Sequence, residues 1–454
     1  MDTEVTMEKI VSLCKRRGFI FPGSELYGGI AGMWDYGPLG VDLKNNIRDL
    51  WWRTFVHERD DIYGLDSAIL MRKNVWEASG HVGGFVDPIV EDMVTKKRYR
   101  ADSLLEDNGV ENADGMSADE MTECIKKKEI KSPEGNPLSD VRTFNLMFKT
   151  NVGATGGEDS VSYLRPETAQ GIFVNYKNII DVFYPSIPFG VAQIGKAFRN
   201  EISPRDFIFR LREMEQMEIE YFIKEREWEE SFEYWRKEVM GFYEKVGIPA
   251  HLIYEHEIPK EGRAHYSKRT IDFEFKYPFG QKELSGLAYR TDYDLRKHQE
   301  HSGVSMEYTD KNTRDKFIPH VIEPSFGMER LVLAILTSAY REDEMDGEIR
   351  SYLALDTKIS PVRVAVFPLL KNKPELVKKA GNVFSVLKKE VGRVRFDAHG
   401  NIGKRYRRQD EIGTPHCVTV DFDTLEDDTV TVRERDSGEQ QRVSLNELPS
   451  LLVK

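Results

Sequence analysis

The sequence is poor in cysteine. Its 454 residues include only Cys14, Cys124 and Cys417, which lie far apart and outside any CxxC or CxxH pattern. This spacing argues against a disulfide framework and against a structural zinc site. We therefore expect no zinc, and a reducing, cytoplasmic environment.

A long apolar run is also missing from the start of the chain. The first twenty residues begin with acidic side chains and contain neither the apolar core of a signal peptide nor a membrane span, so no membrane association is expected. Apolar residues make up 40% and charged residues 31% of the chain, which is typical of folded proteins. The length predicts two or three domains.

Two common nucleotide-binding patterns, GxGxxG and GxxxxGK[ST], do not occur, so any nucleotide site must be of another kind. Net positive charge is lacking as well, because the chain carries −12. A nucleic-acid partner would therefore have to be met by a local basic patch. Residues 361–454, with 17 basic and 14 acidic residues, are the candidate.

Hydrophobic periodicity predicts the main elements. Helices are expected at 7–17, at about 37–55 and at 228–246. Short apolar runs between 181 and 220, divided by a polar turn, predict an antiparallel hairpin, and 270–275 alternates as a strand does. Strands and helices without regular βαβ alternation indicate an α+β fold.

Composition predicts how the chain is divided. We expect a larger domain at 1–350 carrying a mobile surface insertion at about 106–157, which is rich in Gly, Asn, Asp, Ser and Lys. A linker at 351–360 is expected to lead into a small mixed α/β domain at 361–454.

Two arginine-rich segments flank the turn of the predicted hairpin. Phe198-Arg199-Asn200-Glu201 ends one strand, and Arg210-Leu211-Arg212-Glu213 opens the return strand. Guanidinium forks match phosphate oxygens and stay charged. Taken alone, a structural ion-pair network between the strands explains this pattern equally well.

A second segment, Gly327-Met328-Glu329-Arg330, joins a strand to an apolar helix, and its glycine lets the backbone approach a ligand closely. Together the two segments resemble motifs 2 and 3 of the class II aminoacyl-tRNA synthetases. The resemblance implies an antiparallel sheet flanked by helices. It also implies that Arg199 contacts the ATP α-phosphate and Arg330 the γ-phosphate, both as catalytic residues.

Longer stretches resemble the glycine-specific, homodimeric branch of that family and cover nearly the whole chain. Catalysis in this branch needs no protein nucleophile, since positioning and charge neutralisation are sufficient. The stretches are Tyr99-Arg100-Ala101-Asp102, Leu164-Arg165-Pro166-Glu167-Thr168-Ala169-Gln170, RNEISPRDF from Arg199, Glu283-Leu284-Ser285-Gly286, Arg290-Thr291-Asp292-Tyr293-Asp294-Leu295 and Glu323-Pro324-Ser325.

The resemblance implies an ATP site in which Glu283 holds Mg²⁺ through the nucleotide. Met214 stands where family members commonly have phenylalanine stacked on adenine; a thioether can cover the same face, so adenine affinity is the property most affected. The implied ATP-binding residues are Arg199, Asn200, Glu201, Phe209, Arg210, Leu211, Arg212, Glu213, Met214, Glu283, Leu284, Gly327, Met328, Glu329 and Arg330.

It also implies a pocket for glycine. Glycine offers only an ammonium and a carboxylate, so affinity must come from charge-assisted hydrogen bonds, and carboxylates crowding the α-carbon exclude a methyl group without editing. The implied glycine-binding residues are Arg100, Glu167, Met214, Glu215, Gln216, Met217, Glu218, Glu323, Pro324, Ser325, Phe326 and Gly327.

Near the end of the chain, Lys404, Arg405, Arg407 and Arg408 surround Tyr406, which suits phosphate contact and base stacking. A solvated charge run explains this segment equally well on its own. The following QDEIGTPHCVTVDFDTL resembles the anticodon-binding domain of several class II synthetases, which implies tRNA binding here.

The resemblance as a whole implies a cytoplasmic homodimer that activates glycine with ATP and transfers the glycyl group to the 3′ end of tRNA(Gly). Two alternatives stay open. One is a class II synthetase for threonine, serine or proline, whose pocket would need more room. The other is a synthetase-like protein without enzymatic activity, retained for RNA binding or as a polymerase accessory subunit.

Overall fold

The computed structural model describes residues 5–110, 113–154, 157, 160–345 and 347–452. The helices of this part are α1 (Met7–Arg17), α2 (Pro38–Trp52), α3 (Lys73–Ala78), α4 (His81–Gly84), α5 (Ala101–Asp107), α6 (Ala118–Lys127), α7 (Ala169–Phe183), α8 (Trp228–Lys245), α9 (Tyr293–Ser302), α10 (Met328–Ala339), α11 (Pro374–Glu390), α12 (Ile402–Glu411), α13 (Asp423–Asp427) and α14 (Leu448–Leu452).

The strands are β1 (Ile20–Pro22), β2 (Trp34–Tyr36), β3 (Ile62–Leu65), β4 (Leu70–Arg72), β5 (Val86–Glu91), β6 (Arg98–Arg100), β7 (Arg142–Asn145), β8 (Lys149–Asn151), β9 (Val161–Leu164), β10 (Phe189–Phe198), β11 (Glu213–Ile223), β12 (Ile253–Glu257), β13 (Arg269–Tyr277), β14 (Gly280–Thr291), β15 (Tyr308–Thr309), β16 (Lys316–Phe317), β17 (His320–Gly327), β18 (Tyr340–Met345), β19 (Glu348–Leu353), β20 (Val364–Pro368), β21 (Val394–Phe396), β22 (His416–Val420), β23 (Thr429–Glu434) and β24 (Gln440–Ser444).

A seven-stranded sheet organises the larger part of the chain. Its order is β12-β13-β14-β17-β11-β10-β3, and all neighbours are antiparallel except β10 and β3. The predicted hairpin is confirmed, since β10 and β11 pair without interruption from Phe189 opposite Phe222 to Phe198 opposite Glu213. The predicted α+β class is confirmed as well.

Strand β11 shows how the sheet separates the core from a polar face. Successive side chains of a strand point to opposite faces. Met217 and Ile219 therefore enter the main hydrophobic core with residues of α2, α8 and α10. Gln216, Glu218 and Glu220 point the other way and are nevertheless buried, so this face is polar and enclosed.

The N-terminal segment packs beneath the sheet. Helix α1 has the predicted bounds; the Thr6 side chain caps its start, and Gly18 in the left-handed region (φ 75°) ends it. Helix α2 begins at Pro38, a favourable first helical position. Trp51 in α2 is fully buried and contacts Phe55 and Phe326, which ties this helix to the sheet.

A packed unit occupies the region expected to be a surface insertion. This unit starts before that segment, at strand β5. Strands β6, β5 and β7 form one sheet, and helix α5 packs against β5, β6 and α6. Leu105, Met121 and Ile125 share a buried cluster with Val90. Residues 111–112, 155–156 and 158–159 of the expected insertion lie outside the described residues.

The C-terminal part forms a five-stranded sheet, β21-β20-β22-β23-β24, with parallel and antiparallel neighbours. Residues 351–360, expected as a linker, are packed, because Leu355 and Ile359 belong to the main core. Arg350 of β19 also bonds Asp410 of α12 at 3.0 Å. The two parts are thus held by buried contacts.

None of the described helices is long and apolar enough to cross a bilayer.

The substitution Gly40→Ala tests the packing of α2. A Cβ atom at Gly40 would lie 1.9 Å from the Phe19 carbonyl oxygen, and backbone cannot move aside cheaply. We expect a loss of about 1–3 kcal/mol in the free energy of unfolding, the usual cost of overpacking, measured by urea titration of tryptophan fluorescence. Gly241→Ala in α8 is the matched control, because nothing lies within 4 Å of its Cβ position; there we expect no loss. Equal effects of the two substitutions would contradict the prediction.

Candidate active site

A cavity of about 320 Å³ opens on the polar face of the sheet. Its floor is formed by β11, β14 and β17, and one wall by the loop between β10 and β11. Of the residues predicted for ATP and glycine, the cavity is lined by Glu167, Arg199, Glu201, Phe209, Arg210, Leu211, Met214, Gln216, Glu218, Glu283, Leu284, Glu323, Ser325, Gly327, Glu329 and Arg330.

Arg199 lies in the cavity wall at the end of β10. Its Nε donates to the Pro166 carbonyl oxygen at 3.0 Å, and its guanidinium carbon is 5.5 Å from the centre of the Phe85 ring. In the described part of the chain no carboxylate lies within ion-pair distance of this guanidinium. The structural ion-pair explanation therefore fails for Arg199, and its charge is available to an anion.

Arg330, at the start of α10, is held from two sides. Its Nη1 lies 2.8 Å from Glu283 Oε2, and its guanidinium carbon is 4.5 Å from the centre of the Phe209 ring. The Arg330 charge lowers the pKa of Glu283 below its ordinary value. Glu283 is therefore an anionic oxygen donor at the cavity, the ligand type that Mg²⁺ prefers.

Glu329 connects the two predicted motifs. Its Oε2 accepts a hydrogen bond from the Glu215 backbone N–H at 2.9 Å, so the first turn of α10 is fixed against β11. Burial raises the pKa of Glu329. The Glu329 side chain therefore fixes helix α10 to strand β11 and does not offer a free charge to a ligand.

Carboxylates crowd the opposite end of the cavity, where Glu167, Glu218 and Glu323 meet Ser325. Ser325 donates from Oγ to Glu218 Oε1 at 2.7 Å, and the Thr168 hydroxyl donates to Glu218 Oε2. Gln170 donates to Glu167 at 3.0 Å. This end is therefore rich in carboxylates held by hydrogen bonds, which suits a small cation.

A buried arginine that sequence reasoning assigned no role stands behind these carboxylates. Arg290 is 1% exposed and bonds both oxygens of Asp294 at 2.9 Å and Glu323 Oε1 at 2.7 Å. It also lies 3.8 Å from Glu167 Oε1. The available signal was the spacing of Arg290 and Asp294, which places an ion pair across a strand-to-helix junction.

The pKa values at this end are shifted in opposite directions. Burial, followed by the charge of Glu167, raises the pKa of Glu218, and burial raises that of Glu323 well above its ordinary value. Burial also raises the pKa of Glu167, but His81 and Arg290 outweigh it and hold that pKa below its ordinary value. Glu167 is therefore the carboxylate whose charge is best compensated.

Strand alternation removes several predicted residues from the cavity. The predicted runs include Glu215, Met217, Pro324 and Phe326, but only every second residue of a strand faces the ligand side. Met328 is also predicted, but it begins helix α10 and is fully buried. Glu215 instead pairs with Lys44 at 2.9 Å. Met217, Phe326 and Met328 belong to the main core.

Four further predicted residues also lie off the cavity. Asn200 donates its backbone N–H to the Leu146 carbonyl oxygen at 2.7 Å, and Glu213 pairs with Lys196 at 2.8 Å. Arg212 donates to the carbonyl oxygens of Ala31 and Glu201.

Arg100 is the fourth, and it bonds Asp87 at 2.8 Å and Asp102. It lines a neighbouring cavity with Arg205 and Arg210, so the structure does not bring it to the carboxylate-rich end.

The basic cluster of the C-terminal part is largely used within the fold. Arg405 is 1% exposed and donates to the carbonyl oxygens of Pro368 and Gly400. Arg408 pairs with Asp397 at 2.7 Å and Arg407 with Glu348 at 3.4 Å. Of the four predicted cations, Lys404 alone is exposed without an ion pair in the described residues.

Two segments of the chain match known protein families. Residues 151–339 match the tRNA synthetase class II core domain (G, H, P, S and T). Residues 363–454 match the anticodon binding domain. The first match contains Arg199, Arg290 and Arg330, and the second contains the basic cluster.

Individual relatives are similar over their full length. The chain is 50% identical to the glycine–tRNA ligase of Clostridium perfringens, with 100% of this chain and 99% of the relative covered. It is 50% identical to the glycine–tRNA ligase of Caldanaerobacter subterraneus subsp. tengcongensis with the same coverage, and 50% identical to that of Acetivibrio thermocellus, covering 99% and 98%. At this identity and coverage, the chain belongs to the glycine–tRNA ligase family of class II aminoacyl-tRNA synthetases.

Proposed function

We propose that the chain is a glycine–tRNA ligase whose active site is the cavity between Arg199 and the carboxylates Glu167, Glu218 and Glu323. In the first step, the carboxylate of the substrate glycine attacks the α-phosphorus of ATP, which gives glycyl-adenylate and diphosphate. The terminal ribose hydroxyl of tRNA(Gly) then attacks the carbonyl carbon of glycyl-adenylate, which forms the glycyl ester and releases AMP. The observation that carries this proposal is the presence, in one cavity, of an uncompensated guanidinium at one end and an acidic pocket at the other.

The guanidinium end suits the triphosphate. Arg199 keeps its charge for the α-phosphate, where negative charge builds up during attack, and such a preorganised group stabilises the transition state without reorganisation. Arg330 is oriented by Phe209 and Glu283 for the γ-phosphate. Mg²⁺ bound by Glu283 and the phosphates would neutralise the charge of the leaving diphosphate.

The acidic end suits the amino acid. An ammonium group can pair with the carboxylates Glu167, Glu218 and Glu323, which line one end of the cavity together. A side chain on the α-carbon would have to enter among these groups. Ser325 holds Glu218 in place through its 2.7 Å hydrogen bond. Because an extra methyl group would have to displace hydrogen-bonded carboxylates, the pocket rejects alanine sterically and electrostatically.

For the C-terminal part we propose tRNA binding, with the division of the chain at about residue 350. Lys404, at the exposed start of α12, is the predicted cation best placed to contact phosphate. The proposed location of the protein is the cytoplasm, where ATP and tRNA are available.

Amino-acid-dependent exchange between ATP and diphosphate tests the substrate. We expect exchange with glycine only, among all twenty amino acids, because a side chain on the α-carbon would have to displace the hydrogen-bonded carboxylates of the acidic end. Threonine, serine or proline would give exchange if the chain belonged to a different specificity class. Absence of exchange with every amino acid, for a protein that still binds tRNA, would support the non-enzymatic alternative.

Arg199→Ala tests the role of the uncompensated guanidinium. We expect glycine-dependent exchange to fall by about 10²-fold or more, the scale for removing one preorganised charge-stabilising donor. Arg226→Ala is the matched control, since this arginine is 78% exposed and lies outside the cavity. Near-normal exchange in Arg199→Ala would contradict the assignment.

For the quaternary state we propose a homodimer formed at the β3 edge of the large sheet. Strand β3 is an outer strand, and Tyr63 in it contacts Phe183 with ring centres 5.2 Å apart. Val182, Phe183 and Tyr184 are 66%, 59% and 68% exposed. An outer strand bordered by three exposed apolar side chains is a surface that a second copy can cover.

Phe183→Glu tests this surface by placing a charge in the proposed interface. We expect the wild-type chain to sediment at twice its 52.5 kDa mass and the variant to shift toward the monomer, since burying an unpaired charge costs several kcal/mol. Tyr254→Glu is the control, because Tyr254 is an exposed aromatic on β12 at the opposite edge. A wild-type monomer, or equal dissociation in both variants, would contradict the proposal.

A further inference from the structure

A fourth glutamate lies behind the acidic end of the cavity. Glu220, two residues after Glu218 on β11, is fully buried. One carboxylate oxygen of Glu220 lies within 4.8 Å of oxygens of both Glu218 and Glu323. Glu220 does not line the cavity itself, so it acts on the ligand only through its two neighbours.

What distinguishes Glu220 is that neither of its carboxylate oxygens has a hydrogen-bond partner among the residues that the structure describes. Glu218 accepts from Thr168 and Ser325, and Glu323 accepts from Arg290 at 2.7 Å. A carboxylate is stabilised as an anion by such donors, and a buried one without them favours the neutral acid. Among these glutamates, Glu220 is therefore the preferred carrier of a proton.

The charge balance of the pocket leads to the same conclusion. Arg290 bonds Asp294 and Glu323 and lies beside Glu167, and the buried Arg165 interacts with Glu218 and Asp66. Together with Glu220, the carboxylates of this region outnumber these two fixed cations. His81 contacts Glu167 at 3.4 Å. Burial, followed by the charge of Glu323, raises the pKa of Glu220 well above its ordinary value. In the described residues, the charged and titratable groups of this region are Glu218, Glu323, Arg290, Asp294, Glu167, Arg165, His81, His265, His298 and Tyr266.

We propose that Glu220 carries a proton while the pocket is empty and releases it to water when an ammonium group enters between Glu218 and Glu323. The entering positive charge replaces the proton as the partner of the excess negative charge. In this scheme the Glu220 O–H bond breaks, the proton passes to solvent, and the ammonium keeps its own protons. Glu220 is thus a positioning residue that couples substrate recognition to proton release, and the inference rests on the proposed glycine site.

Linkage fixes the sign of the pH dependence. If binding releases a proton, affinity for the ammonium-bearing ligand rises with pH, by up to about tenfold per pH unit for one full proton. A ligand of the same shape without the ammonium exchanges no proton with this pocket, so its affinity stays level. The difference between the two ligands is a readout that a purely structural role of Glu220 would leave unchanged.

The test uses calorimetric titration of the full chain with two nonreactive adenylate analogues, glycyl-sulfamoyl-adenosine and acetyl-sulfamoyl-adenosine, which lacks the amino group. Measurements at about pH 6.5 keep the free α-amino group protonated, and buffers of different ionisation enthalpy give the number of protons released. We expect roughly half to one proton for the glycyl analogue and about zero for the acetyl analogue.

Glu220→Gln, which keeps the shape and removes the titrating group, should bind the glycyl analogue but release about zero protons. Glu230→Gln, at an exposed position of α8, is the matched control and should behave as wild type. Equal proton counts for the two analogues with the wild-type chain, or undiminished release in Glu220→Gln, would overturn the proposal.

Should Glu220→Gln fail to fold, the wild-type comparison of the two analogues still decides. Failure of the proposed function itself has a different signature, namely no binding of the glycyl analogue and no glycine-dependent exchange.

Discussion

The acidic end of the cavity depends on one buried guanidinium. Arg290 holds Asp294 and Glu323 by direct hydrogen bonds and lies beside Glu167. Buried charges persist only when paired and hydrogen-bonded, so the carboxylates could not be brought this close without it. It is kept in place in turn by Tyr266, whose ring centre lies 3.9 Å from the guanidinium carbon. The carboxylates proposed to bind an ammonium group are thus held together by a cation of the protein itself.

The sheet transmits this arrangement to the rest of the fold. Glu218 faces the cavity, while the adjacent Met217 and Ile219 are part of the main core. A shift of β11 by one residue would turn its apolar side chains toward the cavity and its glutamates toward the hydrophobic core. Core packing against α2 and α8 therefore fixes which carboxylates meet. The same strand also binds Glu329 through the Glu215 backbone N–H. Strand β11 therefore fixes the position of the phosphate end of the cavity relative to the amino-acid end.

Much of the fold could be predicted from the sequence because local signals were strong. The first helix has a side-chain cap and a glycine terminus, and the alternation of β10 and β11 is long enough to specify a hairpin. The packed unit around Leu105 and Met121 could not be predicted, because the segment 106–157 is polar in composition and its core is completed by residues that precede it, among them Val90, Ala101 and Leu104. Long-range completion of a core leaves no local signature.

The sequence predicts those site residues that contact the ligand directly from within a recognisable motif. The motifs point directly to Arg199 and Glu323. A resemblance over a continuous run such as Glu215 to Glu218 does not distinguish the residues that face the ligand, because strand alternation places only half of them on that side. Residues that act through others were missed. Arg290 and Glu220 do not line the cavity, and their importance lies in a balance of charges contributed by four separate segments.

In the basic cluster near the end of the chain, the sequence overestimates the number of cations that are free to contact a ligand. As a sequence, Lys404 to Arg408 suggests a free cationic surface, but Arg405 is drawn inward by the carbonyl oxygens of Pro368 and Gly400. Guanidinium groups have five donors and can terminate several backbone segments at once, so arginine-rich runs are suited to structural roles. Lysine is a point charge on a flexible stem and is less suited to that purpose; Lys404 in this run is exposed. The charge available to nucleic acid in such a run is therefore better judged by its lysines than by its total number of cations.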